Sequence, residues 1–267
     1  MTIKMPVYYL SHGGGPWPWM EERRQAYADL AQCLARIPSE LPQTPTAILM
    51  VSAHWESEAG FLIQSHPQPP MLYDYYNFPA HTYEVVYPAA GQPELAQHIQ
   101  QQLKDAGIDA ALDAERGFDH GAFVTAYVMY PEAEIPVVQL SINANYNPEQ
   151  HMALGAALKP LRDQGVLILG SGASYHNLRL MSPEGAEPSV AFDDWLEAAL
   201  LNTQQAERAL HMENWETAPC ARIVHAREDH LVPLFVAVGA STEEDTVSRI
   251  LTTTNANGIK NASYKFS

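Results

Sequence analysis

The segment Thr46–Ser52, TAILMVS, constrains the fold more than any other: it is a nearly continuous apolar run bounded by prolines and a polar turn. A strand open to water on one face alternates apolar with polar residues. An unbroken run needs apolar cover on both faces, as strands have inside an α/β layer structure. Ile135–Ile142 and Val166–Gly170 repeat the pattern, and Val7–Leu10 is a shorter β-prone run ending at Ser11-His12-Gly13-Gly14-Gly15-Pro16. Phe61–Gln64 reads as a strand pairing with Thr46–Ser52, and Asn261–Phe266 as a closing strand. Helical stretches lie between them. Met20–Arg36 spaces Ala26, Leu30, Cys33, Leu34 and Ile37 for a buried stripe. Pro93–Ala106 is closed by Gly107, and Asn147-Pro148 has the N-cap and first-turn chemistry of a helix that ends at Gly165. Ala191–Leu210 and Leu231–Ala240 read as two more helices. Buried strands separated by helices predict a single α/β domain over 1–267, with a central mixed, largely parallel sheet flanked by helices.

Length and composition agree with that reading. The chain has 267 residues, without repeats or low-complexity linkers, and is 46% hydrophobic with 20 prolines and 15 glycines, as in a soluble globular protein with many loops. Lys and Arg number 15 against 31 Asp and Glu, a net charge of −16. So acidic a chain is a poor partner for nucleic acid or an anionic membrane, since both need basic patches. Cys33 and Cys220 match no zinc-ribbon or CxxC spacing, and a reducing compartment is expected. The N-terminal MTIKMPVYYL is interrupted by Pro6 and too short for the core of a signal peptide. No run of about 18 apolar residues occurs, so the expected location is cytoplasmic.

Five of the 11 histidines carry the functional argument: His12 in SHGGGPW, His54 in VSAHWES, His120 in GFDHGAF, His176 in GSGASYHNL and His230 in REDHLVPL. Histidine is the commonest metal ligand and the usual acid or base near neutral pH. His12, His54 and His176 each come just after a predicted strand, and in open α/β sheets ligands collect beyond the carboxyl ends of the strands. One such histidine is ordinary structure; three delivered to one edge point to a metal site at the C-terminal edge of the strands. The glycine run after His12 lacks the Lys-Ser/Thr of a P-loop, so no nucleotide cofactor is predicted. A ligand set without cysteine suits Zn, Fe, Cu or Ni, and open positions fit non-haem Fe(II) or catalytic Zn. Glu228 and Asp229 adjoin His230 and compete with it as a third ligand; HExxH and HxH spacings are missing. His66, His81, His98, His151, His211 and His225 are assigned to surface or structure, His81 least firmly because it lies in an aromatic loop. That loop, His66 to Gly91, holds Tyr73, Tyr75, Tyr76, Phe78, Tyr83 and Tyr87 and reads as a lid or binding loop. The alternative is that its tyrosines pack against the domain or form a subunit interface.

Taken together, SHGGGPW (11–17), LMVSAHWE (49–56), YNFPAHTYEVVYPAAG (76–91), GFDHGAF (117–123), IPVVQLSI (135–142), GSGASYHNL (170–178) and HAREDHLVPLFVAVGA (225–240) resemble the class III extradiol ring-cleaving dioxygenases of the 4,5-DOPA dioxygenase type, relatives of the protocatechuate 4,5-dioxygenase β subunit. The segments recur in order over nearly the whole chain. The resemblance implies a mononuclear non-haem metal held by His12, His54 and His230, with His176 as the acid/base residue and His120 as a hydrogen-bond donor to substrate or oxygen. It also implies a catechol-type substrate opened by O2 to a semialdehyde, with Fe(II) for ring cleavage and zinc common in isolated members. A homo-oligomer is compatible with it. Two other readings stay open: a zinc hydrolase using His176 as proton shuttle, and a non-catalytic metal-binding protein on the same scaffold.

Overall fold

Alternate residues of the central strands enter two different cores. In β1 (Val7–Ser11), Val7 and Tyr9 pack on one side of the sheet and Tyr8 and Leu10 on the other. In β2 (Ala47–Ser57), Ala47, Leu49 and Val51 take the first side, Ile48 and Met50 the second. This is why their sequences read as unbroken apolar runs. The computed structural model describes residues 4–201 and 203–267. The remaining strands are β3 (Phe61–Gln64), β4 (Ala110–Asp113), β5 (Val137–Asn143), β6 (Val166–Gly172), β7 (Val247–Thr254) and β8 (Lys260–Phe266). They form one sheet in the order β4-β3-β5-β2-β6-β1-β8-β7. Its centre, β5-β2-β6-β1, is parallel throughout. Antiparallel pairing enters at the flanks, where β3 meets β5 and where β8 joins β1 to β7, while β4 runs parallel to β3.

Helices cover both faces: α1 (Glu21–Arg24), α2 (Ala28–Glu40), α3 (Pro93–Asp105), α4 (His120–Met129), α5 (Pro148–Leu158), α6 (Ala186–Leu200), α7 (Gln205–Glu213), α8 (Ala221–Val224) and α9 (Val232–Ala240). α2 and α4 pack over Tyr8, Leu10, Ile48 and Met50, and α3, α5, α6 and α9 over the opposite core. The expected α/β architecture, a largely parallel mixed sheet between helical layers, is borne out. Among the described residues no helix is long and apolar enough to cross a membrane. Residues 1–3 of the N-terminal segment read above lie outside the described residues. Cys33 and Cys220 are free.

Several local expectations are corrected. Phe61–Gln64 pairs with β4 and β5, not with β2, because β5 and β6 already occupy both edges of β2. The helix expected over Met20–Arg36 is broken after Arg24; Ala26 is exposed, and the buried stripe is Leu30, Cys33, Leu34 and Ile37. The helix from Asn147 starts as expected, with the Asn147 side chain accepting from Gln150 N–H at 2.8 Å. It leaves α geometry at Leu158, since Pro160 has no N–H for the ladder, and tightens into a 3₁₀ turn closed by Gly165. The single helix expected over Ala191–Leu210 is two: Leu201 is extended, and Thr203 Oγ1 bonds back to the Ala199 and Leu200 carbonyls. Asn202, inside that break, lies outside the described residues. The strand at Asn261–Phe266 is flanked on both sides, and β7 forms the edge.

Candidate metal centre

Five chain segments end at one place. His12 is the first residue past β1; its N–H donates to the Gly172 carbonyl at 3.2 Å, and Gly13 at φ +76° turns the chain away. His54 sits on β2 itself, in the irregularity between Val51 and Glu56 where the register with β5 shifts, so a bulge rather than a strand end aims it. Its N–H donates to Ser52 Oγ at 3.2 Å, and Arg116 donates to its carbonyl at 3.1 Å. His230 lies in the turn before α9, its carbonyl accepting from Tyr9 Oη at 2.9 Å and from Ala173 N–H at 3.1 Å. A Cβ on Gly172 would stand 2.1 Å from that carbonyl oxygen, so only glycine lets β6 approach so closely. His120 opens α4 behind the N-cap Asp119, whose buried carboxylate accepts from Ser52 Oγ at 2.7 Å, Arg116 at 2.8 Å and Gln139. His176 follows β6, and its ring stacks on His230 with centroids 3.3 Å apart and planes 18° apart.

The rings converge. His12 lies 4.9 Å from His54, 5.1 Å from His120 and 5.2 Å from His230, centroid to centroid. His54 is 4.0 Å from His120 and 4.8 Å from His230. One potential ligand atom from each of His12, His54 and His230 falls within 4.8 Å of the other two, close enough to share an ion. The sets His54, Asp74, His120 and His176, Asp229, His230 meet the same criterion. The carboxylates, however, sit behind the rings: Asp229 Oδ2 is 2.7 Å from His230 Nδ1, and Asp74 Oδ1 is 2.8 Å from His120 Nδ1. Asp74 Oδ2 lies 3.2 Å from His54 Nδ1. A carboxylate accepts only, so His120 Nδ1 and His230 Nδ1 carry the proton and leave Nε2 bare, whereas Asp74 Oδ2 makes no hydrogen bond among the described residues and only an ionic contact with His54.

That arrangement fits a cation. His54 Nε2 and His230 Nε2 stand 3.2 Å apart, so both nitrogens point at one place. His12, 3% exposed, has no hydrogen-bond partner on either ring nitrogen among the described residues. Burial, reinforced by the neighbouring imidazoles, holds His12 well below the usual histidine range. Burial, then His120, pushes His54 down to about 4 against the pull of Asp119 and Asp74. Burial also keeps His230 far below its ordinary value, despite Asp229. The three rings are neutral at pH 7, the form that ligates a metal. Burial alone would raise the Asp229 and Asp74 carboxyls, but the histidines facing them outweigh it and hold both below the usual carboxylate range.

Asp74 and Asp229 are what sequence reasoning missed as ring holders; the available signal was an acid inside the aromatic run YDYY and another beside His230. The aromatic loop therefore reaches the site. Tyr75 packs 5.9 Å from His120, but the loop's hydroxyls are engaged internally: Tyr73 on the Val85 carbonyl, Tyr75 on Thr82, Tyr87 on Ala126 and Tyr130. Of its six expected aromatic residues only Tyr76 is fully exposed. The remaining histidines stay out of the cluster. His151 and His225 are buried against backbone groups, and His81 is exposed with Nε2 3.0 Å from the Trp19 carbonyl. His66 caps the Gln68 N–H, His98 is exposed, and His211 lies 3.9 Å from Glu207.

Residues 6–267 match the family of the catalytic LigB subunit of aromatic ring-opening dioxygenase. The chain belongs to that family and is an extradiol-type, metal-dependent oxidoreductase whose class takes an aromatic substrate and O2. Among its relatives, the 4,5-DOPA dioxygenase extradiol of Beta vulgaris is 37% identical over 265 residues, 97% of this chain and 96% of the relative. The protein of that description from Escherichia coli (strain K12) is 32% identical over 255 residues, 92% and 89% of the two chains. A crystal structure of an uncharacterized protein from Escherichia coli K12 superposes with a TM-score of 0.80 at 28% identity, covering 99% of this chain and 100% of the other. The family read from the motifs is thus borne out.

Proposed function

We propose that the chain, 1–267 as one catalytic unit, is an Fe(II)-dependent extradiol dioxygenase that opens a catechol-type ring to a semialdehyde, with His12, His54 and His230 as metal ligands. The observation that carries the ligand set is the buried His12 ring, with neither nitrogen used among the described residues, beside the convergent Nε2 atoms of His54 and His230, 3.2 Å apart. Three neutral nitrogen donors with no thiolate support iron as the working metal, and zinc is the metal to expect in protein as isolated. Bound iron supplies the redox chemistry and the template that brings catechol and O2 together.

His176 is the acid/base residue of this proposal. Its ring is stacked on His230 but 23% open to solvent, so it can take a proton from a catechol hydroxyl and return one as the ring opens. His120, its Nδ1 held by Asp74, turns Nε2 toward the substrate side, where it orients a hydroxyl or oxygen atom. Tyr75 gives the site an aromatic wall. A 3,4-dihydroxyphenyl compound such as DOPA is the first substrate to try, since the relatives above bear that name. The free thiols support a reducing, cytoplasmic setting, and the acidic composition supports a small-molecule partner over nucleic acid.

The test is anaerobic loading with Fe(II) followed by aerobic assay on a catechol panel. Yellow product with stoichiometric O2 uptake is the expected result. Metal-dependent hydrolysis without O2 uptake would make the chain a zinc hydrolase, and metal binding with no turnover on any catechol would make it a binding protein.

A further inference from the structure

We propose that Asp74 and Asp229 are positioning residues, each carboxylate holding the Nδ1–H of a site histidine and so fixing which ring nitrogen faces the centre. The inference rests on the ligand set proposed above and assigns the groups that prepare it. A histidine free to exchange tautomers presents an N–H to a cation about as readily as a lone pair, and a carboxylate behind the ring removes that ambiguity.

The two carboxylates come from unrelated parts of the chain and are unequal. Asp74, on the aromatic loop, holds His120 twice: Oδ1 is 2.8 Å from its Nδ1 and accepts from its N–H at 2.9 Å, while Oδ2, 3.2 Å from His54 Nδ1, makes an ionic contact and no hydrogen bond among the described residues. Asp74 thereby ties the aromatic loop to the start of α4. Asp229 serves one ring, 2.7 Å from His230 Nδ1, and its second oxygen is 3.8 Å from His176 Nδ1, too far for a hydrogen bond. Three of the site's contacts to Nδ1 or backbone N–H are therefore hydrogen bonds, whereas the His176 ring rests on stacking alone and is the one with freedom to move. The same geometry changes what the aromatic loop does. Anchored to the site through Asp74, it is part of the ligand scaffold, and it can cover the cleft only with its outer portion around Tyr76.

The tautomers can be read directly in metal-free protein by long-range ¹H–¹⁵N correlation of the histidine rings. In the wild type, His120 and His230 should both be protonated at Nδ1 and bare at Nε2. Asp74→Ala should release His120 toward the Nε2–H form and leave His230 unchanged; Asp229→Ala should release His230 alone. Zn(II) affinity, measured by competition with a chromogenic chelator, should fall about 10–100-fold in Asp229→Ala, whose partner is a proposed ligand, and less in Asp74→Ala. Asp229→Asn should recover part of the loss, because its carbonyl still accepts one Nδ1–H. Asp74→Asn should keep the His120 tautomer only in part, since one carbonyl oxygen then serves both the His120 Nδ1–H and its backbone N–H; these two asparagine variants decide the matter if the alanine variants do not fold. Unchanged tautomers, or an Asp229→Ala affinity within about threefold of wild type, would overturn the inference. Wild-type protein that binds no metal would instead sink the proposed ligand set, while the tautomers, read without metal, would still decide the role of the carboxylates.

Discussion

His12 and His151 are the same side chain in nearly the same degree of burial, 3% and 0% exposed. Their surroundings are opposite. His151 Nε2 accepts from the Asn143 N–H at 3.0 Å and its Nδ1 lies 2.7 Å from the Asn147 carbonyl, so both nitrogens are used and the ring staples the first turn of α5 to the end of β5. Among the described residues His12 has neither nitrogen used. Burying an imidazole without partners is costly, and native interiors rarely tolerate it without a ligand. Burial therefore does not separate a structural histidine from a metal ligand, and one bare nitrogen does not either: His225 is 0% exposed with Nε2 3.0 Å from the Ser174 carbonyl and Nδ1 without a partner among the described residues, whereas His12 leaves both unused.

The largest effect should come from a ring on the unsaturated side that is not itself a ligand. His176→Ala is expected to lower catechol turnover by about 10²–10⁴-fold with metal content unchanged. A rate within a few-fold of wild type, or loss of metal along with activity, would move His176 out of the acid/base role. On the saturated side the expectation inverts. His151→Ala leaves the Asn143 N–H and the Asn147 carbonyl without their partner and should cost about 2–4 kcal/mol of stability by urea unfolding, with catechol turnover intact.

A pH series sharpens the contrast. Burial pushes His151 down to about 4, so the folded protein keeps it neutral while an unfolded chain protonates it near 6.5. The unfolded state binds more protons between those values; stability is full above about pH 6.5 and lost as the pH falls toward 4, up to about 3 kcal/mol from this group. His151→Gln should flatten that slope, and an unchanged slope would place the acid sensitivity elsewhere. The smallest expected effect lies in the aromatic loop, where catechol binding should slow hydrogen exchange a few-fold over residues 73–83. Protection that follows protein concentration alone would assign the loop to a subunit interface.

How far this was legible in the sequence follows from the same physics. β1, β2, β5 and β6 announce themselves because both faces are buried, and Asn147 and Gly165 mark their turns by local chemistry alone. α4 does not, because HGAFVTAYVM is buried on most sides and so shows no apolar stripe. β7 is a partly exposed edge strand and β4 has four residues, too little pattern in either to read. At the site, the strand-end reading flagged His12, His54 and His176, but β2 runs on to Ser57 and His54 is aimed by a bulge that no local residue pattern encodes. Asp74 becomes informative only when the loop folds back from a distance of 46 residues onto His120.

A buried ring with neither nitrogen used, rather than burial alone, marks the metal centre. Metal titration of wild type, His12→Ala and His151→Ala side by side, with Zn(II) or Fe(II) under anaerobic conditions, tests it most directly. One tightly held ion per chain is expected in wild type and in His151→Ala, and an affinity lower by roughly a thousandfold or more in His12→Ala, as follows from removing a ligand from a three-histidine site. Equal affinity in His12→Ala and wild type, or loss of the ion in a folded His151→Ala, would contradict it.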